Sequence, residues 1–283
     1  MLEILAIALR VGDSFLITVE VHAMTIHDLP EGIVEHTGEI TSLSFPRQGQ
    51  TSVVAILETA GQKYVVKKTE NELYNRWLAA EYDALVILSQ TGLPVPKVYG
   101  YHAERNTRWL LMDYIDGVSL RAFLSGRQTT KARERAIANF GLALRNIHDC
   151  PCPLELAGNS QSWLDAMLLK AEYNLTHNKV DGSAELLAQL KWHRPAPIGN
   201  TLIHGDFTID NVLVDSGGNI AGIIDWAGAA FGDPRYDAAL AIRPKPYAFD
   251  NERDKEVFID AYGKLTLSDE EYRYFADGVY EFF

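Results

Sequence analysis

The sequence predicts an α+β fold in two lobes. Three observations carry this. Residues from about 33 to 114 read as β-branched and aromatic runs broken by a single helical segment. After Gly117 the periodicity becomes helical. One short pair of apolar strands interrupts that helical half within residues 202–226. Strands followed by helices segregate into separate layers, and a cleft between the halves is the expected ligand site. The expected organisation is an N-terminal extension at 1–25, a sheet lobe at 26–113 and a helical lobe at 114–283.

In the first half, Phe15, Ile17, Val19 and Val21 alternate with Thr18, Glu20 and His22, which predicts a strand, although Leu16 breaks strict alternation. The pattern stays strand-like from about 33 to 68. Residues 51–58 and 63–68 are joined by Thr59-Ala60-Gly61-Gln62, which reads as a hairpin. Thr69 and Glu72 match a capping box for the helix that follows. Leu78, Ala79, Tyr82, Leu85, Val86 and Leu88 form its apolar face, and Gly92 with Pro94 stops it. Strands at 98–101 and 109–114 complete the sheet.

In the second half, residues 130–148, 162–177 and 183–193 carry helical periodicity with polar caps. Further helices are expected to open at Asp233-Pro234, at Asp250 and at Ser268, the last with a capping box to Glu271. There is no internal repeat or low-complexity tract.

Composition narrows the function classes. With 283 residues, 47% of them hydrophobic, the chain can bury a substantial core. A net charge of −12 repels polyphosphate and anionic lipid, so neither nucleic acid nor membrane is an expected partner. Cys150 and Cys152 flank one proline, too close for an unstrained bridge and two ligands short of a zinc site. They read as free thiols of a reducing cytoplasm. Residues 1–10 are apolar but lack a basic leader, and Glu3, Arg10, Asp13 and Glu20 interrupt any membrane-length run, so a cytoplasmic location is expected.

The chemistry concentrates in residues 202–240. Apolar strands at 212–214 and 220–224 flank the turn-forming segment 215–219. Folding that hairpin about Gly217 or Gly218 brings Asn211 and Asp225 to one open end, close to opposite each other. Asp206, five residues before Asn211, arrives at the same end. A carboxylate and an amide oxygen, with room left for phosphate oxygens and water, suit Mg2+. A second carboxylate off the metal can accept a hydroxyl proton. The purely structural alternative has Asp206 capping a turn, Asn211 in an αL position and Asp225 ending a strand. Turn chemistry does not require all three at one end of a hairpin, so the joint spacing favours a site.

His204-Gly205-Asp206 with Asn211, Ile224-Asp225-Trp226 and Gly232-Asp233-Pro234 together resemble the aminoglycoside phosphotransferase and choline kinase superfamily, which shares the protein-kinase fold. The resemblance runs from about residue 33 to the end. It implies ATP as donor, with GTP left open, Asp206 as catalytic base, and Mg2+ on Asn211 and Asp225. It makes the first lobe nucleotide-covering and the second catalytic and acceptor-binding. The strand Tyr64-Val65-Val66-Lys67 resembles the one carrying the phosphate-binding lysine, and Glu81 its helix partner. Lys68 is the rival, since alternation sends only one of the two towards a cleft, and Lys67 is favoured because Val66 and Lys68 would share the other face. Residues 48–52, ending in Ser52, resemble the phosphate-covering loop, with one glycine where protein kinases carry three. Asp113 and Ile115 lie in a segment resembling the hinge whose backbone meets the adenine edge.

Departures from the protein-kinase pattern are also informative. Gly205 replaces an arginine, Trp226-Ala227 replaces Phe-Gly, and the interval from Asp225 to Asp233 is too short for a peptide-docking segment. A small-molecule acceptor is therefore expected. Asp237 reads either as a carboxylate bonding the catalytic-loop backbone or as a surface charge. His148, His177 and His193 read as residues bonding last-turn carbonyls. Aromatic and acidic residues crowd the stretch after Arg253, and with the acidic balance they predict a cationic acceptor such as an aminoglycoside. The rivals are a metabolic kinase for choline, ethanolamine, homoserine, a thiamine precursor or a sugar amine, and a nucleotide-binding protein without turnover. The chain is expected as a monomer or homodimer.

Overall fold

The computed structural model describes residues 5–9, 17–21, 24–46, 51–157, 162–263 and 266–283. The chain divides into two compact units, one of residues 1–75 with 98–114, the other of 76–97 with 115–283.

In the first unit, β1 (Leu5–Leu9) and β2 (Ile17–Val21) form an antiparallel pair, Leu5 opposite Val21 and Leu9 opposite Ile17. Residues 17–21 of the alternating stretch thus form a strand with residues 5–9 as partner, whereas Phe15, Leu16 and His22 lie outside the described residues. A helix, α1 (Glu31–Thr37), follows where a strand-like pattern was expected from residue 33. Pro30 sets its entry, Glu31 lies in its first turn, and Gly38 leaves it at φ 70°. Ile33 is fully buried, so tertiary packing overrides the strand preference of Ile33 and Val34.

Next come β3 (Ile40–Ser44), β4 (Val53–Thr59), β5 (Lys63–Thr69), α2 (Glu72–Leu88), β6 (Val98–Glu104) and β7 (Thr107–Asp113). The five strands form one antiparallel sheet in the order β3-β4-β5-β7-β6. The expected capping box is not formed. Thr69 ends β5 and its hydroxyl donates to Asn75 Oδ1 at 2.6 Å, while Asn71 Oδ1 accepts the Leu73 N–H at 2.9 Å and opens α2.

Tyr64 and Val66 on β5 join Ile33, Leu57, Trp109 and Leu111 in the core of this unit. Lys68 shares their face by alternation. Its Nζ lies 5.2 Å from the Trp109 ring centroid and 2.7 Å from Glu70. Lys67 is on the opposite face and is buried.

The second unit, which takes α2 from Arg76 onward, continues with β8 (Val118–Ser119) and α3 (Leu120–Ser125), a helix the periodicity did not reveal because it is barely two turns long. Ser119 caps it, accepting the Ala122 N–H at 3.2 Å. The long helices α4 (Thr130–Asp149), α5 (Trp163–His177) and α6 (Ala184–Trp192) lie where the sequence predicts. Short strands follow: β9 (Thr201–Ile203), β10 (Val212–Val214), β11 (Ile220–Ile223) and β12 (Ala230–Gly232). They pair as β11-β10-β8 and as β12-β9.

The chain ends with α7 (Pro234–Ala241), α8 (Glu252–Tyr262), α9 (Asp269–Ala276) and a 3-10 turn at Val279–Phe282. Asp233 caps α7, and Ser268 with Glu271 forms the expected capping box on α9. The cap of α8 is Asn251, which accepts the Asp254 N–H at 3.0 Å, and not Asp250, which is exposed. The core of this unit gathers Leu168, Ile203, Tyr236, Leu240, Phe275 and Phe282. Among the described residues no helix is long and apolar enough to cross a membrane. Cys150 and Cys152 are free thiols, and partial burial raises both above their ordinary pKa.

Candidate active site

The site is built on the β10-β11 hairpin. Val212 pairs with Ile223, and the Ile224 N–H donates to Asn211 O at 2.9 Å. Asn211 therefore faces Ile224, and Asp225 lies one residue further along at the same open end. Asp225, not Asn211, takes the left-handed conformation, at φ 65° and ψ 53°. A non-glycine residue there costs about 1–3 kcal/mol and persists only when its surroundings hold it. The next residue supplies the hold: Trp226 is fully buried and its indole N–H donates to Ile223 O at 2.8 Å.

His204 ties the loop to the hairpin. Its Nδ1 accepts the Asp206 N–H at 3.1 Å, which leaves Nε2 as the protonated nitrogen donating to Ile224 O at 2.9 Å. The ring packs on Trp226 with centroids 4.4 Å apart. Gly205 sits between them at φ 85°, and a Cβ there would strike the backbone of Gly228. That approach explains why a glycine stands where protein kinases carry arginine.

Asp237 secures this loop from α7. Fully buried, it accepts the His204 N–H on Oδ2 at 2.5 Å and the Gly205 N–H on Oδ1 at 2.8 Å. Of its two sequence readings, the backbone-bonding one is what the structure contains. His148 differs from its expectation: Nδ1 bonds the Tyr262 hydroxyl at 2.7 Å, and Nε2 lies 3.5 Å from Asp237, because α4 packs against α7. His177 and His193 do bond carbonyls one turn back, on Tyr173 and Gln189.

Asp206 is half-buried and held at both oxygens. Asn211 Nδ2 donates to its Oδ2 at 2.8 Å and to its main-chain oxygen at 2.9 Å. The Tyr280 hydroxyl donates to Oδ1 at 3.2 Å. Burial pushes the Asp206 carboxyl above its ordinary pKa, against the lowering influence of His204, the Asn211 hydrogen bond and Lys245. Both amide N–H groups of Asn211 are turned to Asp206, so its carbonyl oxygen is the atom left for a cation.

Beside it, Asp210 takes a two-nitrogen grip from Arg121, with Nη2 at 2.7 Å from Oδ2, and a contact from Lys245 at 3.2 Å. The Arg121 hydrogen bond holds the Asp210 carboxyl below its usual range. Sequence reasoning missed Asp210, Arg121, Lys245 and Tyr280. Only Asp210 carried a local signal, as the neighbour of Asn211.

Of the expected site residues, the structure brings Asp206, Asn211 and Asp225 together in the second unit. Lys67, Ser52 and Asp113 belong to the first unit, and Glu81 and Ile115 to the second. Glu81 is buried on α2. Ser52 is half-buried just before β4, whereas residues 48–50 of the expected loop lie outside the described residues. Asp113 accepts the Tyr99 hydroxyl at 2.6 Å. Ile115 packs its side chain on Gly222, where a Cβ would not fit.

Several of the acids after Arg253 are engaged within the chain. Glu281 pairs with Arg243 at 2.6 Å, Asp254 with Arg133 at 2.5 Å, and Glu271 with Arg235. Among the described residues no three His, Cys, Asp or Glu side chains gather to hold a metal. A cation at Asn211 and Asp225 would complete its shell from substrate oxygens and water, as Mg2+ characteristically does.

Comparison with known proteins agrees with this architecture. The phosphotransferase enzyme family (APH) matches residues 42–275. An aminoglycoside 3'-phosphotransferase of Niallia circulans is 28% identical over 87% of this chain and 94% of its own. A homoserine kinase of Neisseria meningitidis is 31% identical over 84% of this chain and 79% of its own. The crystal structure of an aminoglycoside-3'-phosphotransferase of type VIII superposes with a TM-score of 0.74 at 23% identity, covering 89% of this chain and 98% of that one, a likeness of fold. A ternary complex of an aminoglycoside phosphotransferase with AMP-PNP and hygromycin B superposes at 0.64 with 20% identity, over 86% of this chain and 85% of its own. This chain belongs to the phosphotransferase enzyme family, with the family's α+β kinase-like fold, and is a kinase of small molecules.

Proposed function

We propose that this chain moves the γ-phosphoryl group of ATP to a hydroxyl of an aminoglycoside-type acceptor, with Asp206 as base. The observation that carries the reading is the convergence of Asp206, Asn211 and Asp225 at one hairpin end, with the Asn211 amide oriented by Asp206 itself. Asn211 and Asp225 are the residues that would hold Mg2+, which when bound offsets phosphate charge. Asp206 aligns the acceptor hydroxyl and takes its proton as the oxygen–phosphorus bond forms and the bond to the β-phosphate oxygen breaks.

Lys67 neutralises donor phosphate oxygens, with Glu81 as its helix carboxylate, and Ser52 caps the phosphates. The backbone groups of Asp113 and Ile115 read the adenine edge. In this reading residues 26–113 cover the nucleotide and 114–283 supply catalysis and the acceptor pocket. Catalysis is then mainly positioning and charge neutralisation.

A second acceptor class has its own support. Lys245 and Arg121 place two cations on Asp210 near the base, and Arg243, Arg133 and Arg235 engage Glu281, Asp254 and Glu271, so three of the acids expected to attract a cation are already met. That favours a less cationic metabolic acceptor of the homoserine kind. An ATP-consumption screen across aminoglycosides, macrolides, choline-like amines and amino alcohols, with and without Mg2+, tests both. Turnover with none of them, or turnover unaffected by removing Mg2+, overturns the proposal.

A further inference from the structure

The carboxylate of Asp206 meets one donor from its own loop and another from far away in sequence. Tyr280 stands 74 residues beyond Asp206, in the 3-10 turn Val279–Phe282, and its hydroxyl lies 3.2 Å from Oδ1. That turn is firmly seated. Phe282 is fully buried with its ring against Gly182, where a Cβ would overlap it. Asn174 Nδ2 donates to Phe282 O at 2.8 Å, and the N–H groups of Asp181 and Gly182 donate to Glu281 O at 3.1 and 2.8 Å.

The tyrosine ring is held as well. The Arg243 guanidinium lies 5.3 Å from its centroid and pairs with the adjacent Glu281 at 2.6 Å. Burial, with the Asp206 charge next in size, keeps the phenol protonated far above its ordinary range, so the hydroxyl remains a donor.

A carboxylate held at one oxygen can turn about its terminal torsion, which is broad and roughly two-fold. A donor on each oxygen removes that freedom and still leaves each oxygen a lone pair for an acceptor hydroxyl. We propose that Tyr280 is a positioning residue that locks the plane of Asp206 for proton abstraction, an inference that rests on Asp206 being the base. The 3-10 turn thereby contributes to the chemistry as well as to the core.

The test is Tyr280→Phe, which keeps the ring, its packing and its contact with Arg243 and removes only the hydroxyl. It is assayed with ATP and the fastest alcohol of the screen, or with water as acceptor if no alcohol is turned over. The expected result is a kcat lower by roughly ten- to hundredfold, the scale of a misplaced catalytic group, with KM for both substrates and thermal midpoint unchanged. In an Asp206→Asn background the same change should have no further effect on kcat, because the group being positioned is gone.

Full kcat in Tyr280→Phe beside a dead Asp206→Asn overturns this inference alone. An active Asp206→Asn instead overturns the base assignment on which it rests. A raised acceptor KM at constant kcat, or a fall in thermal midpoint that accounts for the lost activity, assigns Tyr280 to binding or to structure and also overturns it.

Discussion

The buried carboxylate of Asp237 holds Gly205 by its main chain, Oδ1 accepting the Gly205 N–H at 2.8 Å, while its other oxygen accepts that of His204. The residue before Asp206 is thus fixed by an anion in the first turn of α7. Hydrogen bonds to a charged group are worth about 1.5–3 kcal/mol each, so losing these two in Asp237→Ala should destabilise the fold by about 3–6 kcal/mol. It should lower kcat as well, since the loop that carries Asp206 loses its anchor. Chemical denaturation alongside steady-state kinetics measures both, and wild-type stability would contradict the anchor.

Asp206→Asn should cut turnover by about 10²–10⁴-fold, the usual contribution of a positioned acid or base. ATP affinity should change little, because the lost group acts on the acceptor. Equilibrium binding of ATP and single-turnover rates separate the two effects.

Asp225→Ala should abolish Mg2+-dependent nucleotide binding, since it removes the one carboxylate of the expected cation shell. Asn211→Ala should weaken that binding less but also impair kcat, because the same amide orients Asp206 through two hydrogen bonds. ATP titrations at fixed Mg2+ with each variant check this, and unchanged affinity for Asp225→Ala would remove its metal role.

Salt separates the two acceptor classes. Exposed charges attract one another over a Debye length of about 8 Å at physiological ionic strength. A polycationic acceptor should therefore show a KM that rises with added salt more than the KM for ATP. An acceptor KM that does not move with salt would favour the metabolic reading, in line with the cations already seated on Asp210 and Glu281.

Much of the central site was legible because it is local. Asp206, Asn211 and Asp225 fall within 20 residues, and the apolar strands around a Gly-Gly turn dictate that Asn211 and Asp225 share one end. The same holds for the cap of α7 by Asp233 and the capping box of Ser268 and Glu271, where side chain and partner lie within one turn. Strand alternation along β5 likewise places Lys67 and Lys68 on opposite faces.

Where several local solutions compete, the sequence alone was less reliable. The Thr69 and Glu72 pattern matched a capping box, yet Thr69 was drawn into β5 by its pairing with β7, and Asn71 took the cap. Ile33 and Val34 suit a strand, but burying Ile33 with Leu57 and Trp109 made a helix the better solution. The αL residue at the hairpin end is Asp225 because Trp226 must reach its buried position, a demand placed by the core and not by turn preference.

The sequence by itself therefore determined the fold class, the hairpin site and the three oxygen-bearing residues at its end, since their geometry follows from strand period and turn chemistry over short separations. Only the tertiary structure decided what grips them. Asp237 reaches the loop across 33 residues, Lys245 meets Asp210 across 35, Tyr280 meets Asp206 across 74 and Arg121 meets Asp210 across 89. Contacts at such separations leave no period or spacing in the chain, because helix packing, and not local backbone geometry, brings them together.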